Sequence, residues 1–99
     1  MLEVTIFLDE DDRFGNEPLH EYIMKHLLHH HIRGATVFSA YGGYGAKRHL
    51  HYPRKLGASD EGPLMILFID DEERVKSILP HLKEIVAEGL VAYRKVELA

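Results

Sequence analysis

The chain has no cysteine and no long apolar run. Without cysteine there is no disulfide framework, thiol nucleophile or thiolate metal site, and this composition fits a reducing compartment. The longest apolar stretch, Leu64–Ile69, is far shorter than the roughly 20 residues that cross a bilayer. The N-terminus carries acid where a signal peptide needs base. We therefore expect a cytoplasmic protein that does not itself span a membrane.

An excess of basic residues is also missing. The formal net charge is −4, which disfavours generic nucleic-acid binding. The charges are unevenly distributed, because 9–12 is a run of four acids whereas the 47–55 segment is basic and has no acid. We expect these two segments to attract each other, within one chain or between copies. The acidic run lacks the glycine spacing of a calcium loop, so we interpret it as a solvated turn.

No catalytic set is evident. The sequence has no serine in an activated context, no paired carboxylates beside a pocket signal and no Walker-type phosphate loop. We therefore predict that the protein is not an enzyme. Weak hydrolysis of a bound nucleotide by a loop group such as His51 is the enzymatic alternative.

Hydrophobic periodicity predicts four strands and two amphipathic helices in one domain over residues 1–99. The order β-α-β-β-α-β predicts an α+β, ferredoxin-like fold, with a four-stranded antiparallel sheet and both helices on one face. Asp70 is predicted to cap the second helix, which Pro80 should bend or split. Several strands are apolar on both sides, so we expect other copies to cover the second face of the sheet. The predicted strands are 2–8, 35–41, 63–69 and 90–98, and the predicted helices are 18–31 and 71–86.

A long loop between the second and third strands, residues 41–63, is the most distinctive stretch. Loops of this length inside a compact domain are usually functional or disordered. A glycine-rich turn followed by a cationic arm would suit an anionic ligand or an acidic partner surface. A solvated hairpin loop without a ligand is the alternative. The glycines are Gly42, Gly43 and Gly45, and the basic arm contains Lys47, Arg48, His49, His51, Arg54 and Lys55.

Histidines are frequent, eight in all, and three of them lie close together on the first predicted helix. His26, His29 and His30 have the i, i+3, i+4 spacing that can chelate a transition metal. Histidines near a helix C-terminus also interact favourably with the helix dipole, and His30 falls near the buried stripe. A metal site and a purely structural role both remain open.

Several short motifs, spread over nearly the whole chain in a fixed order, resemble the DUF190 family, whose members are relatives of the PII signalling proteins. The resemblance implies a homotrimer that associates through its sheets. It also implies that residues 42–62 correspond to the PII T-loop. The motifs are Asp12-Arg13, Gly15, Pro18-Leu19, Gly34-Ala35-Thr36-Val37, Gly43-Tyr44-Gly45, Leu50-His51, Pro63–Asp70, Leu79-Pro80 and Glu88-Gly89-Leu90-Val91.

PII-like proteins bind adenine nucleotides in clefts between subunits, so the resemblance implies AMP, ADP or ATP as ligand, with no cofactor required. It also implies a partner protein, such as a transporter or channel, contacted through the 42–62 loop. Family members often carry arginine-glycine where Ser39-Ala40 stand here. In this chain Lys47 or Arg48 would supply the positive charge of the missing arginine. The implied nucleotide-binding residues are Gly43, Tyr44, Gly45, Lys47, His51, Gly89, Arg94 and Lys95.

Three functions therefore follow from the sequence. The first is a PII-like regulatory protein whose loop is ordered by a small anionic metabolite. The second is a metal-binding trimer similar to the CutA proteins, which would use His26, His29 and His30. The third is an interaction module with no small ligand.

Overall fold

The computed structural model describes residues 1–52 and 62–99. Within them the main sheet has the strand order β4-β5-β1-β6, and every neighbouring pair is antiparallel. This confirms the predicted ferredoxin-like α+β fold. The elements are β1 (Leu2–Asp9), β2 (Arg13–Phe14), β3 (Glu17–Pro18), α1 (Leu19–His29), β4 (Ala35–Ser39), β5 (Pro63–Asp70), α2 (Glu72–Ile85) and β6 (Leu90–Lys95).

One hydrophobic core lies between the two helices and one face of the sheet. Alternate residues of β1 and β5 point into it, as the strand period of two requires, and both helices contribute residues at spacings of three and four. Burial of each large aliphatic side chain contributes about 1.5–3 kcal/mol. The buried apolar residues of these elements are Leu2, Val4, Ile6, Leu8, Leu64, Ile66, Phe68, Leu19, Ile23, Leu27, Val75, Ile78 and Leu82.

The opposite face of the sheet, here called the open face, carries several exposed apolar side chains and is not covered by any described helix. Phe7 on β1 and Phe38 on β4 are 46% and 44% exposed, and Leu90 on β6 is 56% exposed. The residues of β5 on this side, Met65 and Leu67 among them, are only half-buried. An exposed apolar patch of this kind marks an interaction surface.

Asp70 is not the helix cap predicted from its spacing to Glu73. It is the last residue of β5, and the N-cap position falls at Asp71, whose side chain makes no capping hydrogen bond. The alternation of β5 points Asp70 into the core, where it is fully buried. Its carboxylate accepts hydrogen bonds from the backbone N–H of Arg33 and Asp71 and from the Arg74 guanidinium, at 2.8 Å for Arg74.

Other local predictions need smaller corrections. The turn after β1 contains a short hairpin, β2–β3, and β4 and β6 end at Ser39 and Lys95, before the predicted limits. α2 runs through Pro80 to Ile85, so its last turn is not split off. A single missing N–H at Pro80 is tolerated because the helix is held by its buried stripe.

Candidate ligand cleft at the loop root

The segment Gly43–His51, here called the loop root, is closed by backbone hydrogen bonds. Gly43 and His51 exchange two of them, each 2.9 Å long, and the Arg48 N–H donates to the Gly45 carbonyl at 2.9 Å. Gly43 has φ +146°, a conformation that favours glycine. The two hydrogen bonds between Gly43 and His51 therefore give the start of the loop a fixed backbone conformation.

The acidic residues 9–12, here called the acidic turn, pack against both ends of the loop. The Glu10 N–H donates to the carbonyl of Gly62 at 2.9 Å. The Lys47 ammonium lies 3.3 Å from Asp11 and 3.7 Å from Asp12. The attraction predicted from the charge distribution thus occurs within one chain. The hydrogen bond to Asp11 raises the pKa of Lys47.

Two cavities adjoin the loop root. The larger, of about 480 Å³, is lined within one chain by Tyr44 and Gly45 of the loop root and by Gly89, three of the residues that the resemblance implied for the site. Its remaining walls are mostly apolar, with Phe7 and Leu90 among them. The smaller, of about 220 Å³, is lined by the polar groups of the loop root, which include Lys47, His49 and His51. The two cavities share Asp9, Gly45 and Pro63.

Gly89 is required for the close approach of β6 to β1. A Cβ atom at this position would overlap the carbonyl oxygen of Phe7 and come within 2.9 Å of Val86. Because backbone atoms cannot easily withdraw, a larger residue would push the start of β6 away from Phe7. Gly89 therefore shapes the larger cavity through its packing.

Two carboxylates in the larger cavity were not identified from the sequence. Asp9 and Glu88 both line it. Burial raises the pKa of Asp9, as do the neighbouring charges of Asp12 and Glu88, while Lys47 lowers it. The order of elements provides the missing signal, since the C-terminal end of β1 adjoins the N-terminal end of β6.

Arg94 and Lys95 lie at the other end of β6, far from the loop root of the same chain. Arg94 is opposite Glu3 and donates a 2.8 Å hydrogen bond to its carboxylate, whereas Gly89 adjoins Phe7. Four residues of β1 separate these positions, or about 13 Å at the rise of a strand. A single chain therefore does not bring Arg94 and Lys95 to the other predicted site residues.

The structure groups His26 and His30 with His81, and not with His29 as the spacing on α1 suggested. The His26 ring lies 4.3 Å from that of His30 and 4.8 Å from that of His81 on α2, and His81 hydrogen bonds to the Tyr22 hydroxyl at 2.9 Å. His29 has no ring contact in the described structure, and His30 is exposed, so the expected core position for His30 is wrong. Burial, followed by the charges of His30 and His81, lowers the pKa of His26.

Metal-type ligands converge elsewhere. Over residues 1–52 and 62–99, the group of three that places its donor atoms within 4.8 Å of one another is Asp9, Asp11 and Asp12. The three histidines of α1 do not form such a group in this part of the chain.

Residues 1–52 and 62–99 contain no helix that is long and apolar enough to cross a membrane.

The strand order and the two helices on one face of the sheet define a ferredoxin-like fold. The chain superimposes with a TM-score of 0.67 on CPII, a nitrogen regulatory PII-like protein from Thiomonas intermedia K12 whose structure contains ADP, AMP and bicarbonate. The superposition covers 98% of this chain and 86% of CPII, at 18% sequence identity, and so shows a common fold.

Sequence comparison specifies the family. The profile of DUF190, described as "Uncharacterized ACR", matches residues 1–98, and the chain belongs to this family. A UPF0166 protein of Aquifex aeolicus is 30% identical over 96% of this chain and 90% of its own length. A UPF0166 protein of Methanocaldococcus jannaschii is 35% identical over 89% of this chain and 82% of its own.

Proposed function

We propose that the protein is a PII-like regulator that binds an adenine nucleotide beside the loop root and thereby changes how residues 42–62 are presented to a partner protein. The observation that carries the proposal is the convergence of Tyr44, Gly45 and Gly89 on one cavity of about 480 Å³. These residues come from segments 44 positions apart in sequence, and the fold brings them together.

The two adjoining cavities differ in chemistry in a way that suits a nucleotide. The larger offers the apolar walls Phe7 and Leu90, which suit a flat base. The smaller offers Lys47 and two histidines, which suit phosphate oxygens. The nucleotides in the CPII structure support the choice of ligand class, since that protein has the same fold.

The proposal includes a homotrimer in which the open faces meet. This association would cover Phe38, which is exposed in the single chain, and would leave Phe7 and Leu90 at its boundary, where they also line the larger cavity. It would also allow Arg94 of one copy to approach the loop root of another. Arg94 lies on the open face beside Glu3, so contact between sheets is the route by which it would reach the site.

Titration calorimetry with AMP, ADP and ATP tests the ligand. We expect saturable binding of at least one of them, with one site per chain. Absence of binding by all three would reject the nucleotide and leave the function as an interaction module. CMP, CDP and CTP at the same concentrations are the matched controls, since each has the same phosphate groups as the corresponding adenine nucleotide and a different base.

Replacement of Arg94 by alanine is expected to weaken nucleotide binding about tenfold. A hydrogen bond between charged groups typically contributes about 1.5–3 kcal/mol, and part of this gain is offset because Arg94 must first break its bond to Glu3. The fold should be retained, since Arg94 is an exposed strand residue. Calorimetry measures the affinity and circular dichroism the fold. Unchanged affinity would remove Arg94 from the site.

The proposed partner, such as a transporter or channel, would contact residues 42–62. Residues 53–61, which include Arg54 and Lys55, lie outside the described part of the chain. The described part of the loop, from Gly42 to Tyr52, presents exposed side chains for such contact, Tyr44 and Leu50 among them. Cross-linking from these positions in a cell lysate, with and without nucleotide, would identify the partner.

A further inference from the structure

The lysine assigned to phosphate binding already has anionic partners within its own chain. The Lys47 ammonium lies 3.3 Å from both carboxylate oxygens of Asp11 and 3.7 Å from an oxygen of Asp12. A carboxylate pair and a phosphate group present the same kind of acceptor oxygens to an ammonium. The acidic turn therefore occupies Lys47 in the way an anionic ligand would.

The acidic turn is held in place for this role. The Asp12 N–H donates to the carbonyl of Asp9 at 3.1 Å, and the Asp9 N–H donates to the Asp12 carboxylate at 3.1 Å. These bonds fix Asp12, whereas within residues 1–52 and 62–99 the Asp11 side chain makes no hydrogen bond or ion pair other than those to Lys47. Asp11 is thus the carboxylate best placed to hold and release Lys47.

We propose that Asp11, assisted by Asp12, is an internal competitor that must release Lys47 before an anionic ligand can bind it. The acidic turn then sets the affinity of the cleft for anions and holds the loop root in its ligand-free position. This inference rests on the proposed function, because it assigns regulation to the same site. It differs from that function in naming a contact that can be measured without any ligand.

The first experiment measures that contact alone. Asp11→Asn should increase the rate at which Lys47 reacts with an amine-specific reagent, followed by peptide mass spectrometry. Loss of Asp11 removes a shield and also removes the hydrogen bond that raises the pKa of Lys47, so both effects act in the same direction. Unchanged reactivity of Lys47 would overturn the proposal whether or not a nucleotide binds.

The second experiment measures the competition. Asp11→Asn should increase the affinity for ADP about two- to fivefold, the range expected for the loss of an exposed ion pair, and the increase should shrink in high salt. ADP binding that is equally tight in both proteins, with reactive Lys47 in the variant, would also overturn the proposal. Absence of ADP, AMP and ATP binding by both proteins would reject the proposed function, and Lys47 reactivity would still decide whether the contact exists.

Glu97→Gln is the matched control, since it removes one negative charge at the opposite end of β1. The N–H of its neighbour Val96 donates to the carbonyl of Met1, just before β1 begins, whereas Asp11 lies two residues after Asp9, the last residue of β1. The intervening strand is about 25 Å long, well beyond the screening length of about 8 Å at physiological salt. Neither Lys47 reactivity nor ADP affinity should change in this variant.

Discussion

Asp70→Asn is expected to lower the free energy of unfolding by about 2 to 4 kcal/mol, the largest stability effect of any single polar substitution proposed for this chain. The Asp70 side chain is fully buried and accepts hydrogen bonds from two backbone N–H groups and from the guanidinium groups of Arg33 and Arg74. An asparagine amide has one acceptor oxygen, so it would leave donors unpaired and would turn its own NH₂ toward some of them.

Asp71→Asn is the matched control, since it makes the same chemical change one residue further along the chain. Asp71 is exposed, and its ion pairs to Arg33 and Arg74 measure 3.4 and 3.7 Å. Such surface pairs contribute about 0 to 1 kcal/mol. Urea unfolding at one fixed protein concentration compares the two variants. An equal decrease in the free energy of unfolding for the two variants would show that the buried hydrogen bonds of Asp70 contribute no more than the exposed ion pairs of Asp71.

The pH dependence of stability gives an independent view of the same carboxylate. Burial alone would raise the pKa of Asp70, but the hydrogen bonds from Arg33, Asp71 and Arg74 outweigh it and lower the pKa to about 2. The pKa in the unfolded chain is close to 3.8, so the contribution is complete above that value and disappears as the pH falls toward 2. The difference corresponds to about 2 kcal/mol. Asp70→Asn should flatten this part of the stability profile.

The fold could be predicted from sequence where the signal was periodic, and not where it depended on contacts distant in sequence. The buried positions of β1 and α1 follow from spacings of two and of three to four. Asp70 has the spacing of a helix cap and also continues the alternation of β5. The hydrogen bond from Arg33, 37 positions away, holds Asp70 as a buried strand residue and not as a helix cap. A local sequence pattern cannot reveal a partner at that distance.

The candidate site shows the same division. Resemblance to a family implied a cleft between subunits that contains the loop root and Gly89, whereas the structure brings Tyr44, Gly45 and Gly89 to one cavity within a single chain. The carboxylates of Asp9 and Glu88 were missed because only the register of β1 with β6 places them there. Arg94 and Lys95 lie apart from the loop root because of their register with β1, and a single sequence does not give that register.

Leu67→Glu is expected to dissociate the proposed trimer. Leu67 lies on the open face between Thr5 of β1 and Thr36 of β4, where contact between sheets would bury it. An unpaired carboxylate in such an interface costs several kcal/mol, which corresponds to at least a hundredfold weaker association. Light scattering should give about 34 kDa, three times 11.4 kDa, for the unmodified protein and 11.4 kDa for the variant.

The matched control is Leu28→Glu on α1, the same substitution at a side chain that is 76% exposed. It should leave the mass unchanged, and circular dichroism should show the same fold for both variants. Since Arg94 of a second copy is proposed to complete the site, Leu67→Glu should also weaken ADP binding about tenfold, as Arg94→Ala does, whereas Leu28→Glu should preserve it. A mass of 11.4 kDa for the unmodified protein would reject the trimer, and Arg94 would then have no route to the loop root. Unchanged ADP affinity of a monomeric Leu67→Glu protein would instead place the whole site within one chain, in the cavity between Tyr44 and Gly89.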